Sequence, residues 1–208
     1  MPRAREYDED ALLNRAMETF WSHGYDGTSV DDLVRRTGVH RASLYGVYPD
    51  KRALFIAGIK RYLELVVDDN IRRLKEAEPA GEAVRQFFLQ LADAPIERLR
   101  RGCLLTNSAT ELGAEDPQVA ALIRTAFRRM ERALRERLAD ARKTGEVAAG
   151  TDTGRAARLL IAVLQGIRVM SRVGVDRQTL RDAVTGALSG IIATPTAGQR
   201  SRRAVQGR

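Results

Sequence analysis

Apolar residues recur at every third or fourth position along most of the chain, and this spacing predicts α-helices throughout. The first helix has one apolar face and ends at Gly24, a common helix stop. That face consists of Leu12, Leu13, Ala16, Met17 and Phe20. No stretch alternates apolar and polar residues for long enough to predict a β-strand. The pattern therefore predicts an all-α fold.

Two shorter helices are predicted next. One runs from Thr28 to Arg36, with a capping pattern in which the Thr28 hydroxyl and the Asp31 carboxylate satisfy free backbone N–H groups. Gly38 ends this helix, and the other is expected over residues 40–46. Pro49-Asp50 marks a break and the N-cap of a long helix. The N-terminal part is thus predicted to be a head of three helices.

The chain divides into four predicted parts. The head covers residues 1–50, a connecting helix covers 51–78, a helical body covers 79–194, and a basic tail covers 195–208. The tail is rich in Thr, Pro, Gly, Ser and Arg, a composition typical of disorder. Within the body, helices are expected over 82–93, 98–113, 117–143, 153–173 and 176–193.

Composition limits the class of protein. Apolar residues make up 44% of the chain and charged residues 30%, as in ordinary folded proteins. The N-terminus has no apolar run after its basic residues, and the longest apolar run, Leu159–Leu164, is too short to cross a membrane. A single cysteine, Cys103, cannot form an internal disulfide. These features predict a cytoplasmic protein.

The net charge of +8 is unevenly distributed. Residues 1–60 hold nine Lys or Arg and nine Asp or Glu, so they are neutral overall. The acidic residues come first, however, and residues 35–61 hold seven cations against the lone Asp50. A local basic patch of this kind favours a nucleic-acid partner.

Residue patterns typical of catalysis are absent from the sequence. Both histidines, His23 and His40, lie in the head, so no histidine is expected beside Cys103. The chain has no HExxH zinc-binding pattern, no GxSxG nucleophile turn and no glycine-rich phosphate loop. We therefore expect no enzyme, no cofactor and no metal site.

A short helix, a turn with glycine and a second short helix are the ingredients of helix-turn-helix DNA binding. Here the turn is Thr37-Gly38-Val39, and Leu44 and Tyr48 on the next helix are spaced to face inward. The outer side then carries His40, Arg41, Ser43 and Tyr45. Lys51 follows the Asp50 cap, where backbone N–H groups favour an anion. Similar arrangements occur in bundles that bind no DNA, so the spacing alone leaves both interpretations open.

A longer set of fixed spacings resembles the N-terminal domain of TetR-family transcriptional regulators over about residues 8–60. It reads Phe20-x3-Gly24-Tyr25-x2-Thr28-Ser29-Val30-x2-Leu33-x4-Gly38-Val39-x4-Leu44-Tyr45-x2-Tyr48-Pro49-Asp50-Lys51-x2-Leu54. The resemblance implies a homodimeric repressor whose two recognition helices enter successive major grooves of a palindromic operator in double-stranded DNA. It also implies phosphate contacts from Thr28, Tyr45 and Lys51. The candidate DNA-binding residues are Thr28, Ser29, His40, Arg41, Ala42, Ser43, Tyr45 and Lys51.

Three further residues of the head, Gly46, Arg3 and Arg5, bear on DNA contact. Gly46 stands where TetR-like regulators often carry a second aromatic residue, so one DNA contact of the family is missing here. Arg3 and Arg5 resemble an N-terminal arm that enters the minor groove, although a solvated chain end has the same composition.

A second resemblance lies at Arg101–Asn107, whose sequence is similar to a TetR-like subgroup in which the sixth helix opens with Gly-Cys. One helical face would carry Cys103, Asn107 and Thr110, with Thr106 beside them. Small polar side chains of this kind suit the wall of a cavity that binds a small-molecule effector. Some proteins with this pattern sense electrophiles or oxidants through the thiol, and a small buried cysteine is the alternative. The candidate pocket residues are Phe88, Cys103, Thr106, Asn107, Thr110, Phe127 and Gln165.

The last two predicted helices have apolar and small-residue faces that suit a dimer interface. The candidate interface residues are Leu160, Leu164, Ile167, Ala183, Ala187, Gly190 and Ile191. Two helices from each subunit would form an isologous four-helix bundle, and a monomer core is the alternative. Three functions remain at this point: a ligand-responsive repressor, a DNA-binding protein without an effector, and, least supported, an enzyme with a helical head.

Overall fold

The computed structural model describes residues 8–193, and within them the regular structure is helical apart from one isolated bridge between Val147 and Ile192. The all-α prediction is therefore confirmed. Arg3, Arg5 and the tail 195–208 lie outside the described residues. No helix in the described part is long and apolar enough to cross a membrane.

The helices follow one another in the order predicted, with shifts at several ends. The head contains α1 (Glu9–His23), α2 (Val30–Thr37) and α3 (Arg41–Val47). The connecting segment contains α4 (Lys51–Tyr62), a π-helical turn (Leu63–Val67) and α5 (Asp68–Glu76). The body contains α6 (Ala80–Ala92), α7 (Ile96–Arg101), α8 (Leu104–Leu112), α9 (Pro117–Lys143), α10 (Thr153–Arg172) and α11 (Arg177–Ser189).

The capping box of α2 lies one residue later than predicted. Ser29 is the N-cap, its hydroxyl accepts from the Asp32 N–H at 3.0 Å, and the Asp32 carboxylate accepts from the Ser29 N–H in return. Thr28 is fully buried instead, and its hydroxyl donates to the carbonyl oxygen of Gly24 at 2.6 Å. The hydroxyl of Thr28 thus closes the turn after α1 rather than starting α2.

Two predicted helices are interrupted. The connecting helix widens into the π-helical turn, and such turns are frequent at functional sites. The helix predicted over 98–113 is two helices, because Gly102 has a φ of +69° and Cys103 is extended. A positive φ is rarely adopted by residues other than glycine, so Gly102 supplies the sharp change of direction between α7 and α8.

The core of the head continues into the body. Phe20 and Leu33 of the head and Ile59 of α4 belong to the same apolar cluster as Leu104 of α8 and Val119 of α9. A second cluster fills the body between α6, α9, α10 and α11. The boundary predicted at residue 50 therefore separates sequence segments that share one core.

Candidate DNA-binding surface and effector cavity

Helix α3 is held by a single fully buried side chain, Leu44, which leaves most of its surface exposed. The exposed residues include His40 at the N-cap position and, on the helix, Arg41, Ala42, Ser43 and Gly46. Arg41 lies 3.5 Å from the carboxylate of Asp31 on α2, but both side chains are more than half exposed. A surface ion pair of this kind is weak, so the guanidinium can exchange it for a base or phosphate.

Tyr45 is only half-buried, which agrees with a place at the edge of this exposed surface rather than fully on it. Gly46, the next residue, is exposed to solvent, and a Cβ added to it would meet no atom within 4 Å. The absence of a side chain at this position is therefore not required by packing.

Lys51 differs from the prediction of a free phosphate contact. Its ammonium group donates to the carbonyl oxygens of Tyr25 at 3.0 Å and Thr28 at 3.2 Å. It also lies 4.1 Å from the centre of the Tyr25 ring, a cation–π distance. Lys51 thus ties α4 to the loop between α1 and α2. Thr28, being fully buried, is not available to a phosphate, so the prediction for this side chain is wrong in this structure.

Polar contacts join the head to the body at positions that sequence reasoning missed. The carboxylate of Glu111, on α8, accepts from the backbone N–H groups of Tyr25 at 3.0 Å and Asp26 at 2.7 Å. Arg52 of α4 makes a bidentate pair with Asp116, the N-cap of α9, at 2.6 and 2.9 Å. The Arg52 hydrogen bond, together with the backbone N–H of Val119, lowers the pKa of the Asp116 carboxyl to about 2.

Trp21 of α1 connects the head to the turn that carries Cys103. Its indole N–H donates to the carbonyl oxygen of Gly102 at 3.2 Å. The Arg101 guanidinium lies 3.9 Å from the centre of the indole and pairs with the Glu18 carboxylate. No local pattern in the sequence indicates these pairs, because their partners are about 80 residues apart.

The thiol of Cys103 is half-buried and accepts a hydrogen bond from the Tyr62 hydroxyl at 3.4 Å. Burial raises the pKa of Tyr62 well above its ordinary value, and the neighbouring Cys103 raises it further. The two residues line a cavity of about 50 Å³ together with Phe127 and Gln165. This volume is far below the roughly 300–1,000 Å³ of small-molecule sites.

The predicted effector pocket is divided in the structure. Cys103 caps α8 instead of lying on it, so it does not share a helical face with Asn107 and Thr110. Those two residues and Thr106 line a separate surface groove of about 330 Å³. Thr106 still connects the two spaces, since its hydroxyl donates to the Gln165 side chain at 2.7 Å. Phe88 lines neither, because it is fully buried in the body core, and its neighbour Phe87 lies at the cavity instead.

The predicted dimer interface is also partly wrong. Leu160, Leu164, Ile167 and Ile191 are at most 8% exposed, because they fill the core of their own chain. Ala183 and Gly190 are exposed and Ala187 is half-buried. A stripe of exposed apolar and small residues, with alternating spacings of three and four, runs along α10 to its C-cap. It consists of Leu159, Ala162, Gly166, Val169 and Val173.

No group of three or more His, Cys, Asp or Glu residues within 8–193 is arranged to hold a metal ion.

Comparison with known proteins covers both halves of the chain. Residues 12–57 match the model for bacterial regulatory proteins of the tetR family, and residues 82–187 match the C-terminal domain of tetracycline repressor-like proteins. The chain is 34% identical over 191 residues to the HTH-type transcriptional regulator YezE of Bacillus subtilis, covering 91% of this chain and 98% of that protein. It is 29% identical over 180 residues to the transcriptional repressor ComR of Escherichia coli, covering 86% of each.

Solved structures show the same architecture. A cysteine mutant of the TetR-family regulator CifR, complexed with a 26-base-pair double-strand operator, superposes with a TM-score of 0.77 at 29% identity, over 93% of this chain and 100% of that one. Reduced NemR of Escherichia coli superposes with a TM-score of 0.79 over 90% of this chain and 98% of that one, but at 17% identity this likeness shows the fold alone.

Proposed function

The chain belongs to the TetR family of transcriptional regulators, and from this premise we propose that it is a homodimeric repressor that an effector or an electrophile releases from a palindromic operator. The observation that carries the proposal is the exposed surface of helix α3. The head that holds this helix shares its core with the body, and a polar contact joins the head to the turn that carries Cys103. A change at the thiol can therefore reach the DNA-binding surface through direct contacts.

In the proposed complex, α3 lies in the major groove. His40, Arg41, Ala42 and Ser43 lie nearest the base edges, where Arg and Ser are suitable hydrogen-bonding partners. Ser29 and Tyr45 flank the helix and contact phosphates, which position the protein without reading sequence. Lys51 acts mainly by fixing the loop between α1 and α2, although its third N–H remains available to a phosphate.

The proposed dimer forms through α10 and α11. The exposed stripe from Leu159 to Val173, with Ala183, Ala187 and Gly190 of α11, permits close packing against the same surface of a second copy. Such a dimer sets the two α3 helices about 34–36 Å apart, the spacing of successive major grooves on one side of DNA. A DNA-binding regulator of this kind acts in the cytoplasm, where bacterial DNA is located.

The release step is proposed to start at Cys103. A group added to the sulfur that enters the cavity of about 50 Å³ must displace a neighbour. The nearest neighbours are Tyr62 of α4, bonded to the thiol, and Gly102, bonded to Trp21 of α1. Displacing either changes the position of the head relative to the body and hence the spacing between the two recognition helices.

Selection of random double-stranded DNA by the purified protein tests the proposal. We expect enrichment of a two-fold symmetric site with half-sites about 10 base pairs apart. The selection is repeated after mild oxidation or alkylation with the unmodified protein and with Cys103→Ser, and we expect only the unmodified protein to lose the site. No enrichment under any condition would contradict the repressor function, and release of Cys103→Ser by the same agents would show that the thiol is not the sensor.

A further inference from the structure

We propose that the effector is an amphipathic organic carboxylate that binds in a cleft between α5, α6 and α7, with its carboxylate paired to Arg168 of α10. The cleft has a volume of about 470 Å³, within the roughly 300–1,000 Å³ range of small-molecule sites and much larger than the Cys103 cavity. The inference rests on the proposed function, because a ligand acts as an effector only if the protein regulates an operator.

The charge of the cleft favours an anion. Each of its two acidic side chains already has a cationic partner, Glu78 in Arg137 at 3.0 Å and Glu82 in Arg85 at 3.5 Å. Two of its cations are not compensated: the guanidinium groups of Arg98 and Arg168 have no hydrogen-bond or ion-pair partner among residues 8–193. The cleft therefore presents positive charge to a ligand.

Arg168 is the better anchor of the two, because it is half-buried whereas Arg98 is exposed. A partly desolvated guanidinium without a partner lacks the compensation that buried charges normally have. A carboxylate supplies that compensation through two parallel N–H···O bonds, a geometry that a neutral amide or alcohol cannot reproduce. Arg98, nearer the solvent, attracts the anion to the cleft.

The rest of the lining requires an apolar body on the ligand. Half-buried Phe87 and exposed Ala77 supply most of the apolar surface of the lining, whereas Leu74 and Leu91, at most 7% exposed, add little to it. A simple inorganic anion would leave this apolar surface in contact with water. An alkyl chain or aromatic ring attached to the carboxylate would cover it, at about 25 cal/mol for each Å² removed from water.

The cleft is placed to act on the coupling segment. Asn70, Phe87 and Arg168 line both the cleft and the Cys103 cavity, so the two spaces share a wall. Asn70 belongs to α5, just after the π-helical turn of the connecting segment. A ligand that moves these side chains therefore acts on the segment that leads to the head.

Isothermal titration calorimetry with the full chain tests the inference. The probes are hexanoate, octanoate, decanoate and 4-phenylbutyrate, with octanamide as the neutral counterpart of octanoate and acetate as the anion without an apolar body. We expect octanoate to bind at least tenfold more tightly than octanamide or acetate. Failure of all four carboxylates to bind at millimolar concentration, or equal binding of octanoate and octanamide, would overturn the inference.

Matched arginine variants locate the site. Arg168→Gln should weaken octanoate binding at least tenfold, and Arg98→Gln should weaken it less. Arg100→Gln, an exposed residue of α7 outside the cleft, removes the same charge and should leave binding within twofold. Arg168→Lys keeps the positive charge but cannot form the bidentate pair. It replaces Arg168→Gln in the binding measurement if Arg168→Gln does not fold. An equal loss in Arg100→Gln and Arg168→Gln would contradict the assignment.

The outcome is separable from that of the proposed function. If a symmetric operator is enriched but no carboxylate binds, the repressor function stands and the ligand class is wrong. If carboxylates bind through Arg168 but no DNA site is enriched, the binding site stands and the repressor function is wrong. Octanoate added to the operator complex should, when both are correct, lower operator affinity for the unmodified protein and not for Arg168→Gln.

Discussion

At the scale of single residues, the ammonium group of Lys51 lies between two backbone carbonyls and the face of an aromatic ring. The sequence indicates a cation beside a helix N-terminus, and that placement is correct. The carbonyl partners, 23 and 26 residues earlier, have no signature in the sequence. The chemistry of a side chain restricts its partners to a class, and tertiary packing then selects among them.

Lys51→Ala should therefore reduce stability as well as operator affinity. It removes two charge-assisted hydrogen bonds and one cation–π contact from a partly buried position, and we expect a loss of about 1–2 kcal/mol in the free energy of unfolding. Urea denaturation followed by circular dichroism measures it. Lys60→Ala is the control, because Lys60 is an exposed lysine of the same helix. Equal stability of the two variants would mean that the Lys51 contacts contribute little.

At the scale of helices, the sequence predicts most elements correctly because the apolar spacing that produces a helix is local. Helix α9 begins at Pro117, as its Asp-Pro start indicates, and α1 ends before Gly24. The apolar pattern continues through the π-helical turn and through the break at Gly102, so it indicates neither; the Gly-Cys resemblance alone implies a helix start near Cys103. The candidate pocket is divided for the same reason, since Cys103, Asn107 and Thr110 were predicted to share one face of a helix that begins only after Cys103.

The cap of α9 gives a pH-dependent prediction. Arg52 lowers the pKa of the Asp116 carboxyl from an ordinary value of 3.8 to about 2, so the folded state favours the ionised form. The associated stability is complete above pH 3.8 and is lost as the pH falls towards 2. Between pH 5 and pH 2.5, Asp116→Asn should lose less of its unfolding free energy than the unmodified protein. Urea denaturation at the two pH values measures the difference.

The control for this prediction is Glu115→Gln, which removes an exposed acid next to Asp116 in sequence. Its loss of stability between the two pH values should match that of the unmodified protein. If Asp116→Asn also matches, the pairing with Arg52 does not stabilise the folded state in solution.

At the scale of the whole molecule, the exposed stripe along α10 is the surface of the proposed dimer, and the opposite face of the helix belongs to the core of the body. The interface residues predicted from the sequence lie on the two helices of the proposed dimer, but several of them are on inner faces that the body core covers. Both faces of α10 are apolar, so its periodicity does not reveal which face is covered by the same chain. Leu160 and Ile167 are buried in the body core, whereas Leu159 and Val169 are about half exposed.

Val169→Glu should disrupt the proposed dimer. Two-fold symmetry places the new carboxylate near its copy in an apolar interface, and we expect the dimer dissociation constant to rise at least ~100-fold, about 2.8 kcal/mol. Analytical ultracentrifugation measures it, and operator affinity should fall in parallel. Ala121→Glu, at an exposed position on α9, is the control. A Val169→Glu protein that remains dimeric would exclude this stripe as the interface.

The core that runs from α1 through α4 into α8 and α9 also limits how this regulator can be re-engineered. A chimera joined at residue 50 would leave Phe20 and Leu33 without Leu104 and Val119, their partners in one cluster. A designer who wishes to change the operator while keeping the sensor must therefore replace α3 alone, whose attachment depends mainly on Leu44. The separable unit in this protein is the recognition helix, not the three-helix head.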